Sequence, residues 1–386
     1  MAGVSSSESV PHQTERSRAA ADASWLAIVT ETVECGGTER VVQALADRFP
    51  GAPIVANHFT DLMHPDPAAT PWAMGARLVP SGRRKRHFLG PLYGRRLAAA
   101  PVEPARVVVA LAAGGWGLAA PVPPGGRLVC YCTGPPPALY GEAHLYLRSE
   151  PARLRPLMLA ALPAVRGHYR RLMRRPDRLV TVSRGSAAAI ERVYGRRAEV
   201  VHPPVRTGFF TPAASPRRGF LAVARLVPQK QLEMLVEVFS GLDEDLVVVG
   251  RGPWLGRLRA GAPPNVRFAG WVEDSTLREL YRSSRALVCP SVEEFGIVMA
   301  EAHACGTPVI APRTGGALEI VTEPATGILI DRLDARSLAD AVRETGIRRF
   351  DAEACRTSAE RFGEERFVTR MEQIIGEELA ATRAPA

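Results

Sequence analysis

Short apolar runs rich in β-branched residues alternate with amphipathic stretches along the chain from residue 25. Such runs predict buried strands, and the amphipathic stretches have the period of surface helices. In the first half, strands are predicted at residues 25–33, 53–57, 106–112, 127–132, 178–183 and 200–202. Helices are predicted at residues 38–49, within 152–175, and at 186–194.

The alternation starts again in the second half. Strands are predicted at residues 219–224, 245–250, 265–268, 286–290, 308–311 and 327–329. Helices are predicted at residues 231–239, 253–260, 274–282, 296–305, 317–321, 335–345 and 364–380. Strands and helices that alternate in this way indicate an α/β fold with a parallel sheet in each half.

Pro203-Pro204 and the Pro-, Ser- and Ala-rich stretch 211–218 are typical of an inter-domain linker. We therefore predict two Rossmann-like, doubly wound domains that face a cleft, with the last helix returning to the first domain. The predicted units are a disordered tail at 1–23, domains at 24–205 and 206–363, and a helix with a tail at 364–386. Because ligands bind at the carboxyl ends of parallel strands, each domain can hold one substrate.

The composition is that of a globular protein, with 46% hydrophobic and 23% charged residues. No stretch reaches the roughly 18–20 apolar residues that a membrane-spanning helix needs. The N-terminus lacks the basic-then-apolar order of a secretory signal. The six cysteines fit neither a disulfide framework nor a zinc spacing. These features predict a cytoplasmic protein.

The net charge of +9 comes almost entirely from arginine, since only Lys85 and Lys230 among the 49 basic residues are lysines. A basic balance suits nucleic acid, anionic lipid or a phosphorylated ligand and does not choose among them. Two basic stretches, 83–86 and 166–175, could dock on anionic lipid at the inner face of a membrane. They could equally be solvated faces of an arginine-rich protein.

Residues suited to binding anions gather where four predicted strands of the second half end. They are Arg225 and Lys230, Arg251-Gly252-Pro253, the stretch 291–296 with the helix that carries Glu301, and Thr314-Gly315-Gly316. Parallel strands bring these ends to one edge of the sheet, which combines two cations, glycines and two helix N-termini. This edge predicts a diphosphate site.

Single residues at this edge allow more than one interpretation. Glu301 can accept hydrogen bonds from vicinal ribose hydroxyls, and Glu293 faces the open end of the cleft, where a sugar would lie. A glutamate near a helix N-terminus often only compensates the helix dipole, however. Arg225 alone could be a surface residue. Lys230 stands out because this composition would ordinarily supply arginine, and a compact ammonium can reach a phosphate oxygen.

The run 293–311 closely resembles the signature of retaining GT-B glycosyltransferases of family GT4, with Glu293 and Glu301 matching its two glutamates. Four other segments resemble the family in the same order along the chain: Gly36-Gly37-Thr38-Glu39-Arg40-Val41-Val42, His202-Pro203-Pro204-Val205, Ala224-Arg225-Leu226-Val227-Pro228-Gln229-Lys230 and Thr314-Gly315-Gly316-Ala317-Leu318-Glu319. The resemblance covers residues 25–367. Within the family, 49–54 and 131–140 look most like the WbaZ-type mannosyltransferase branch.

The resemblance implies a role for each matching residue. Arg225 and Lys230 would hold the donor diphosphate and stabilise it as it leaves. Glu293 would contact the sugar hydroxyls and Glu301 would bind the ribose. The remaining donor-binding residues would be Gly252, Val272, Asp274, Phe295, Gly296, Ile297, Val298, Gly315 and Gly316, and those on the acceptor and sugar side would be Gly36, Gly37, Thr133 and Gly134. The family is generally metal-independent, so we expect neither a metal nor another cofactor.

Two positions bear on the choice of donor. The WbaZ-like branch usually has Cys-His-Thr-Pro after this strand, whereas Thr133 follows Cys132 here. Threonine can donate a hydrogen bond but cannot become a cation, so either the sugar contact differs or transfer is slow. Asp274 resembles the residue that reads the base in this family and could accept from guanine, or it could be a helix N-cap. GDP is therefore only slightly favoured over UDP.

We therefore expect a retaining hexosyltransferase, with GDP-mannose as the leading donor and a glycan, glycolipid or small molecule as acceptor. A UDP- or dTDP-sugar-dependent enzyme acting on a natural product is the first alternative. A nucleotide-sugar-binding protein without turnover is the second, and a sugar-nucleotide isomerase of the same fold is the third. Nucleic acid is not expected as a partner.

Overall fold

The computed structural model describes residues 23–30, 37–56, 76–78, 102, 104–112, 116–148 and 151–382. The strands of the first half are β1 (Leu26–Thr30), β2 (Ile54–Ala56), β3 (Ala76–Leu78), β4 (Val107–Ala112), β5 (Arg127–Cys132), β6 (Arg178–Thr181) and β7 (Glu199–Val200). Those of the second half are β8 (Phe220–Val223), β9 (Leu246–Val249), β10 (Val266–Gly270), β11 (Ala286–Val288), β12 (Val309–Pro312) and β13 (Gly327–Ile330). Each half forms one sheet whose strand pairs are parallel.

Helices connect the strands in both halves. In the first half they are α1 (Gly37–Arg48), α2 (Pro137–Tyr140), α3 (Ala143–Leu147), α4 (Arg155–Leu172) and α5 (Arg184–Tyr194). In the second half they are α6 (Leu232–Ser240), α7 (Leu255–Ala260), α8 (Asp274–Ser283), α9 (Ile297–Ala304), α10 (Ala317–Ile320), α11 (Ala335–Ile347), α12 (Ala352–Glu360) and α13 (Glu364–Ala380). The doubly wound α/β architecture predicted for each half is confirmed.

Local sequence explains where individual elements begin and end. All five residues of β1 are buried, as expected for a strand covered on both faces of a parallel sheet. Helix α5 begins where Ser183 Oγ accepts a hydrogen bond from Ser186 N, and it ends at Gly195 with a φ of 67°. Asp334 caps α11 in the same way. The strand β3, of three residues, and the helices α2, α3 and α12 were not predicted.

The strand order places a binding crevice in each sheet. The orders are β3-β2-β1-β4-β5-β6-β7 and β10-β9-β8-β11-β12-β13. In both, the direction of winding reverses at the first strand, between β1 and β4 and between β8 and β11. Ligands of open parallel sheets bind outside the carboxyl ends of the strands at such a switch point. The segments that follow β8 and β11 carry Arg225 and Glu293.

The last helix, α13, returns to the first sheet. Glu378 Oε2 accepts from Arg127 Nε at 2.8 Å, and the Phe367 ring packs edge-on against Tyr131 with centroids 5.8 Å apart. The predicted return of this helix is confirmed. Of the predicted tail, residues 1–22 lie outside the described residues and Ala23 is buried. The exact domain boundaries stay predictions.

One buried apolar cluster joins the two halves beneath the cleft. It includes Tyr131 and Val182 from the first half and Leu277 and Phe295 from the second. Because apolar side chains of both halves belong to one cluster, the two halves pack against each other.

Candidate active site

Lys230 and Glu293 form a close ion pair at the switch point of the second sheet. Lys230 Nζ lies 2.6 Å from Oε1 and 2.7 Å from Oε2 of Glu293, and Ser291 Oγ donates to Oε1 at 2.7 Å. The two ion-paired side chains are 20% and 14% exposed. Burial alone would lower the pKa of Lys230, but the Glu293 carboxylate outweighs burial and raises it. A charged ammonium is therefore held where the sequence predicts a diphosphate.

The first domain reaches this end of the cleft through α3. This helix contacts the turn Pro228–Lys230, and Arg148, which follows it, pairs with Glu233 at 3.0 Å. The pKa of Tyr146 is raised to about 12, first by burial and then by the Glu294 carboxylate, while the charge of Arg225 opposes the rise. Helix α3 of the first domain thus lies beside the predicted phosphate end of the site.

Backbone contact between two loops explains the glycines at this edge. Gly316 N donates to Glu293 O at 2.8 Å, and a Cβ atom at Gly316 would lie 1.9 Å from Phe295 O. Gly315 and Gly296 have φ angles of 61° and 90°, in the left-handed region that favours glycine. The loop after β12 therefore packs directly on the loop before α9, with no room for a side chain between them.

Two of the predicted donor-binding residues, Phe295 and Gly252, are held by close packing contacts. The Phe295 side chain is 4% exposed and packs against the rings of His202 and Phe362. It supports the loop from the core and does not line the cleft. At Gly252 a Cβ atom would lie 2.3 Å from Leu226 O, so close approach of backbone to backbone requires glycine there.

Three further predicted donor residues are apolar and half-buried. Val272, Ile297 and Val298 pack against the cluster that joins the domains. Ile297 also meets the first domain, since its Cγ2 atom lies 4.0 Å from the Cβ position of Gly37. The N-termini of α1 and α9 therefore face each other across the cleft.

Glu301 lies in a charged cluster built from both domains, named here the Glu301 cluster (Arg40, Arg206, Asp274, Tyr281 and Glu301). Tyr281 OH donates to Glu301 Oε2 at 3.2 Å, and Arg40 Nε lies 3.8 Å from Oε1. Arg40 Nη2 donates to Asp274 Oδ1 at 2.9 Å, and Arg206 pairs with Oδ2. Burial raises the pKa of Glu301, and the charge of Arg40 opposes the rise.

Asp274 was expected either to read the base or to cap a helix, and in the structure it pairs with two arginines. Both of its carboxylate oxygens accept hydrogen bonds from arginines. It is the first residue of α8, and Glu273 occupies the N-cap position, so the N-cap interpretation is wrong. Its role as a reader of the base stays a prediction.

On the predicted acceptor side, the Thr133-Gly134 turn is hydrogen-bonded to the first turn of α5. Ser186 Oγ donates to Thr133 O at 2.7 Å, and Gly134 has a φ of 140°. Thr133 is half-buried. Gly37 is the first residue of α1, and Gly36 lies outside the described residues.

Sequence reasoning did not single out Arg40, Tyr146 or Glu319. Glu319 accepts from Arg184 N at 2.7 Å and lies 2.9 Å from His202 Nε2, which links α10 to the first domain. Arg40 and Glu319 do lie inside segments that resemble the family. Those segments were the available signal, but the spacing of residues along the chain could not show what the two side chains meet.

The family model described as Glycosyl transferases group 1 matches residues 217–345. These residues form a group 1 glycosyltransferase domain. The resemblance expected from the motifs of the second half is confirmed.

Curated relatives extend the match over about half of the chain. A D-inositol 3-phosphate glycosyltransferase of Salinispora arenicola is 32% identical over 249 residues, 53% of this chain and 56% of the relative. A GDP-mannose-dependent alpha-(1-6)-phosphatidylinositol monomannoside mannosyltransferase of Mycolicibacterium smegmatis is 30% identical over 213 residues, 47% of this chain and 56% of the relative. The chain thus spans about half the length of the curated relatives it matches.

Solved structures match nearly the whole chain and confirm the GT-B fold. Sucrose-phosphate synthase from Thermosynechococcus elongatus superposes with a TM-score of 0.70 at 19% identity, covering 92% of this chain and 99% of that one. HepE from Anabaena, in complex with UDP and glucose, superposes with a TM-score of 0.68 at 16% identity, covering 91% and 99%.

The described residues offer neither a metal-binding cluster nor a membrane-spanning helix. Within the described ranges, no group of three or more His, Cys, Asp or Glu side chains is placed to hold a metal ion. Metal independence stays a prediction. In the same part of the chain, no helix combines the length and the apolar character needed to cross a membrane.

Proposed function

We propose that the chain is a retaining glycosyltransferase that moves a hexose from a nucleotide-diphosphate sugar to a hydroxyl group. The observation that carries the proposal is the Lys230–Glu293 pair at the switch point of a group 1 glycosyltransferase domain. The Lys230 ammonium and the Glu293 carboxylate suit the two parts of a sugar diphosphate, its phosphates and its sugar. The cation suits the phosphate and the carboxylate suits the sugar hydroxyls.

The proposed mechanism is electrostatic. The acceptor oxygen attacks the anomeric carbon on the face that the diphosphate leaves, the bond from that carbon to the phosphate oxygen breaks, and the acceptor proton passes to the departing phosphate. Arg225 and Lys230 stabilise the negative charge that grows on this phosphate. Glu293 holds sugar hydroxyls and takes no proton in this scheme. It would have to share Lys230 with the incoming diphosphate.

GDP-mannose is the proposed donor. Support comes from the relatives named as GDP-mannose-dependent mannosyltransferases. The structural neighbour solved with UDP and glucose supports a UDP-sugar as the alternative. The dTDP sugars complete the panel that a test must include.

A nucleotide-sugar-binding protein without turnover is the second candidate. The observation behind it is Thr133, which stands where the branch that the chain resembles has a histidine. The Thr133 carbonyl accepts a hydrogen bond from Ser186 Oγ. A threonine there can still donate to a sugar hydroxyl.

The proposed acceptor is a hydroxyl of a glycan, a glycolipid or a small molecule. Favouring a lipid-linked acceptor, α4 exposes Leu157 (70%) and Leu159 (49%) near its start and Arg170 and Arg171 near its end, and Arg174 is exposed just beyond it. Exposed leucines and exposed basic side chains along one helix suit the surface of an anionic membrane. The other basic stretch, 83–86, lies outside the described residues. Sedimentation with vesicles of anionic and of zwitterionic lipid tests this contact.

Donor hydrolysis separates the candidates. We expect release of GDP from GDP-mannose without added acceptor, slower release from UDP and dTDP sugars, and a product of unchanged anomeric configuration by proton NMR once an acceptor is found. Nucleotide binding with no hydrolysis or transfer from any donor supports the binding protein. Epimerised sugar nucleotide without acceptor supports the isomerase.

A further inference from the structure

Arg40 reaches from the first domain into the pocket of a donor-domain carboxylate. It lies in the first turn of α1, and its guanidinium spans two acidic side chains of the second domain. Nη2 is 2.9 Å from Asp274 Oδ1 and Nε is 3.8 Å from Glu301 Oε1. Its side chain is 26% exposed, whereas that of Glu301 is 5% exposed.

We propose that Arg40 is a positioning residue that keeps the Glu301 carboxylate charged and oriented for the donor ribose. The inference rests on the proposed function, in which Glu301 accepts hydrogen bonds from the ribose. A carboxylate can accept two such bonds with both oxygens, but a protonated carboxyl has lost part of that capacity. The state of Glu301 therefore decides how well the nucleoside is held.

The groups around Glu301 show why Arg40 is needed for this. Asp274 and Tyr281 face it from α8, Cys305 follows it on its own segment, Arg206 faces it from the linker and Arg40 from α1. Burial and Asp274 favour the neutral carboxyl, so the pKa of Glu301 lies above its usual value. Both arginines pair with Asp274, and of the two Arg40 opposes the rise more strongly.

The origin of Arg40 in the other domain has a consequence. Arg40 faces Glu301 only while α1 lies against α8 and α9, as it does here. Any separation of the two domains would take this cation from Glu301, so the affinity for the nucleoside would be coupled to the approach of the two domains. If Arg40 only joined the two domains through its salt bridge with Asp274, replacing Arg40 would leave the charge of Glu301 unchanged.

The test measures the dissociation constants of GDP and UDP by calorimetry for the full chain between about pH 5.5 and about pH 8.5. We expect Arg40→Gln and Arg40→Met to weaken binding about tenfold at neutral pH, with affinity recovering as the pH rises and Glu301 loses its proton. Arg40→Lys keeps the charge and should change affinity less than about threefold, with a flat profile. Arg48→Gln is the matched control. Arg48 lies on the same helix as Arg40, and the substitution breaks its pair with Glu372 of α13.

A second background separates positioning from a structural role. With Glu301→Gln in place, Arg40→Gln should add less than about twofold, because the titrating group is gone. If the wild type binds a nucleotide but Arg40→Gln matches it in affinity at every pH, the inference is wrong and the proposed function stands. If the wild type binds no nucleoside diphosphate, both are wrong.

Discussion

The two ends of the candidate donor site are built in different ways. At the phosphate end, Lys230, Ser291 and Glu293 belong to one domain, and the loop that carries Glu293 is held by the amide of Gly316. At the nucleoside end, Glu301 is completed by Arg40 from the opposite domain. The ion pair at one end is therefore formed within a single domain, although α3 of the other domain packs beside it, and the ion pairs at the other end depend on how the two domains meet.

The difference suits the work proposed for each end. Charge develops on the leaving phosphate during the reaction, and groups already fixed in place stabilise such charge without reorganising. The nucleoside does not react, so its binding energy can be used to bring the domains together. Substitutions at the phosphate end should thus lower turnover, and those at the nucleoside end should weaken donor binding.

The largest expected effect is that of Lys230→Ala. Removing a cation aimed at the leaving phosphate should lower kcat of donor hydrolysis by about 100–1000-fold, with a much smaller change in KM. Arg257→Ala is a suitable control, because Arg257 pairs with Glu233, is 65% exposed and lies outside the site. An equal loss in both variants, or a loss confined to KM, would contradict the role given to Lys230.

Glu301→Ala should act on binding. We expect the dissociation constant of the donor nucleotide to rise by about 10–100-fold, since a charged acceptor of two ribose hydrogen bonds is lost. The turnover at saturating donor should stay within about threefold of the wild type. A variant that binds nucleotide normally but turns over slowly would reverse the comparison between the two ends.

Gly316→Ala tests whether backbone contact fixes the phosphate end. The new methyl group would lie 1.9 Å from Phe295 O, so the two loops must separate. We expect a loss of about 2 kcal/mol in the free energy of unfolding, together with lower turnover. Gly256→Ala in α7 is the control, because a Cβ atom there meets nothing within 4 Å. Unchanged stability of Gly316→Ala, measured by urea unfolding, would show that the loops are less tightly joined.

The smallest effect concerns α9, which connects the two ends. His303 on this helix is fully buried, its Nε2 atom lies 3.0 Å from Thr326 O, and burial lowers its pKa to about 4. Unfolding exposes the ring, which then takes up a proton below about pH 6.5. Stability should therefore fall as the pH drops from about 6.5 towards about 4.

The His303→Gln variant makes this decrease measurable. Between about pH 7 and about pH 5.5, the free energy of unfolding of the wild type should fall by about 1 kcal/mol more than that of the variant. Parallel decreases in the two proteins would mean that His303 is not held neutral in the fold.

Parts of the candidate site whose residues lie close together in the sequence were predictable from it. The loop and helix from Glu293 to Glu301 form one such stretch, and the single lysine of the second half stood out in an arginine-rich composition. The pairing of Arg40 with Glu301 was not predictable, because nothing in the spacing of residues 40 and 301 shows that they meet. Helix α12 was missed because the residues it buries, Cys355, Ser358 and Ala359, are small or polar and mark its buried face only weakly.

The measurement that tests the central claim most directly is a crystal structure of the chain with a bound nucleoside diphosphate. We expect the diphosphate within hydrogen-bond distance of Arg225 and Lys230, with the ribose hydroxyls on Glu301 and the sugar side open towards Glu293. A nucleotide bound away from the segments that follow β8 and β11, or one whose ribose does not contact Glu301, would contradict the account.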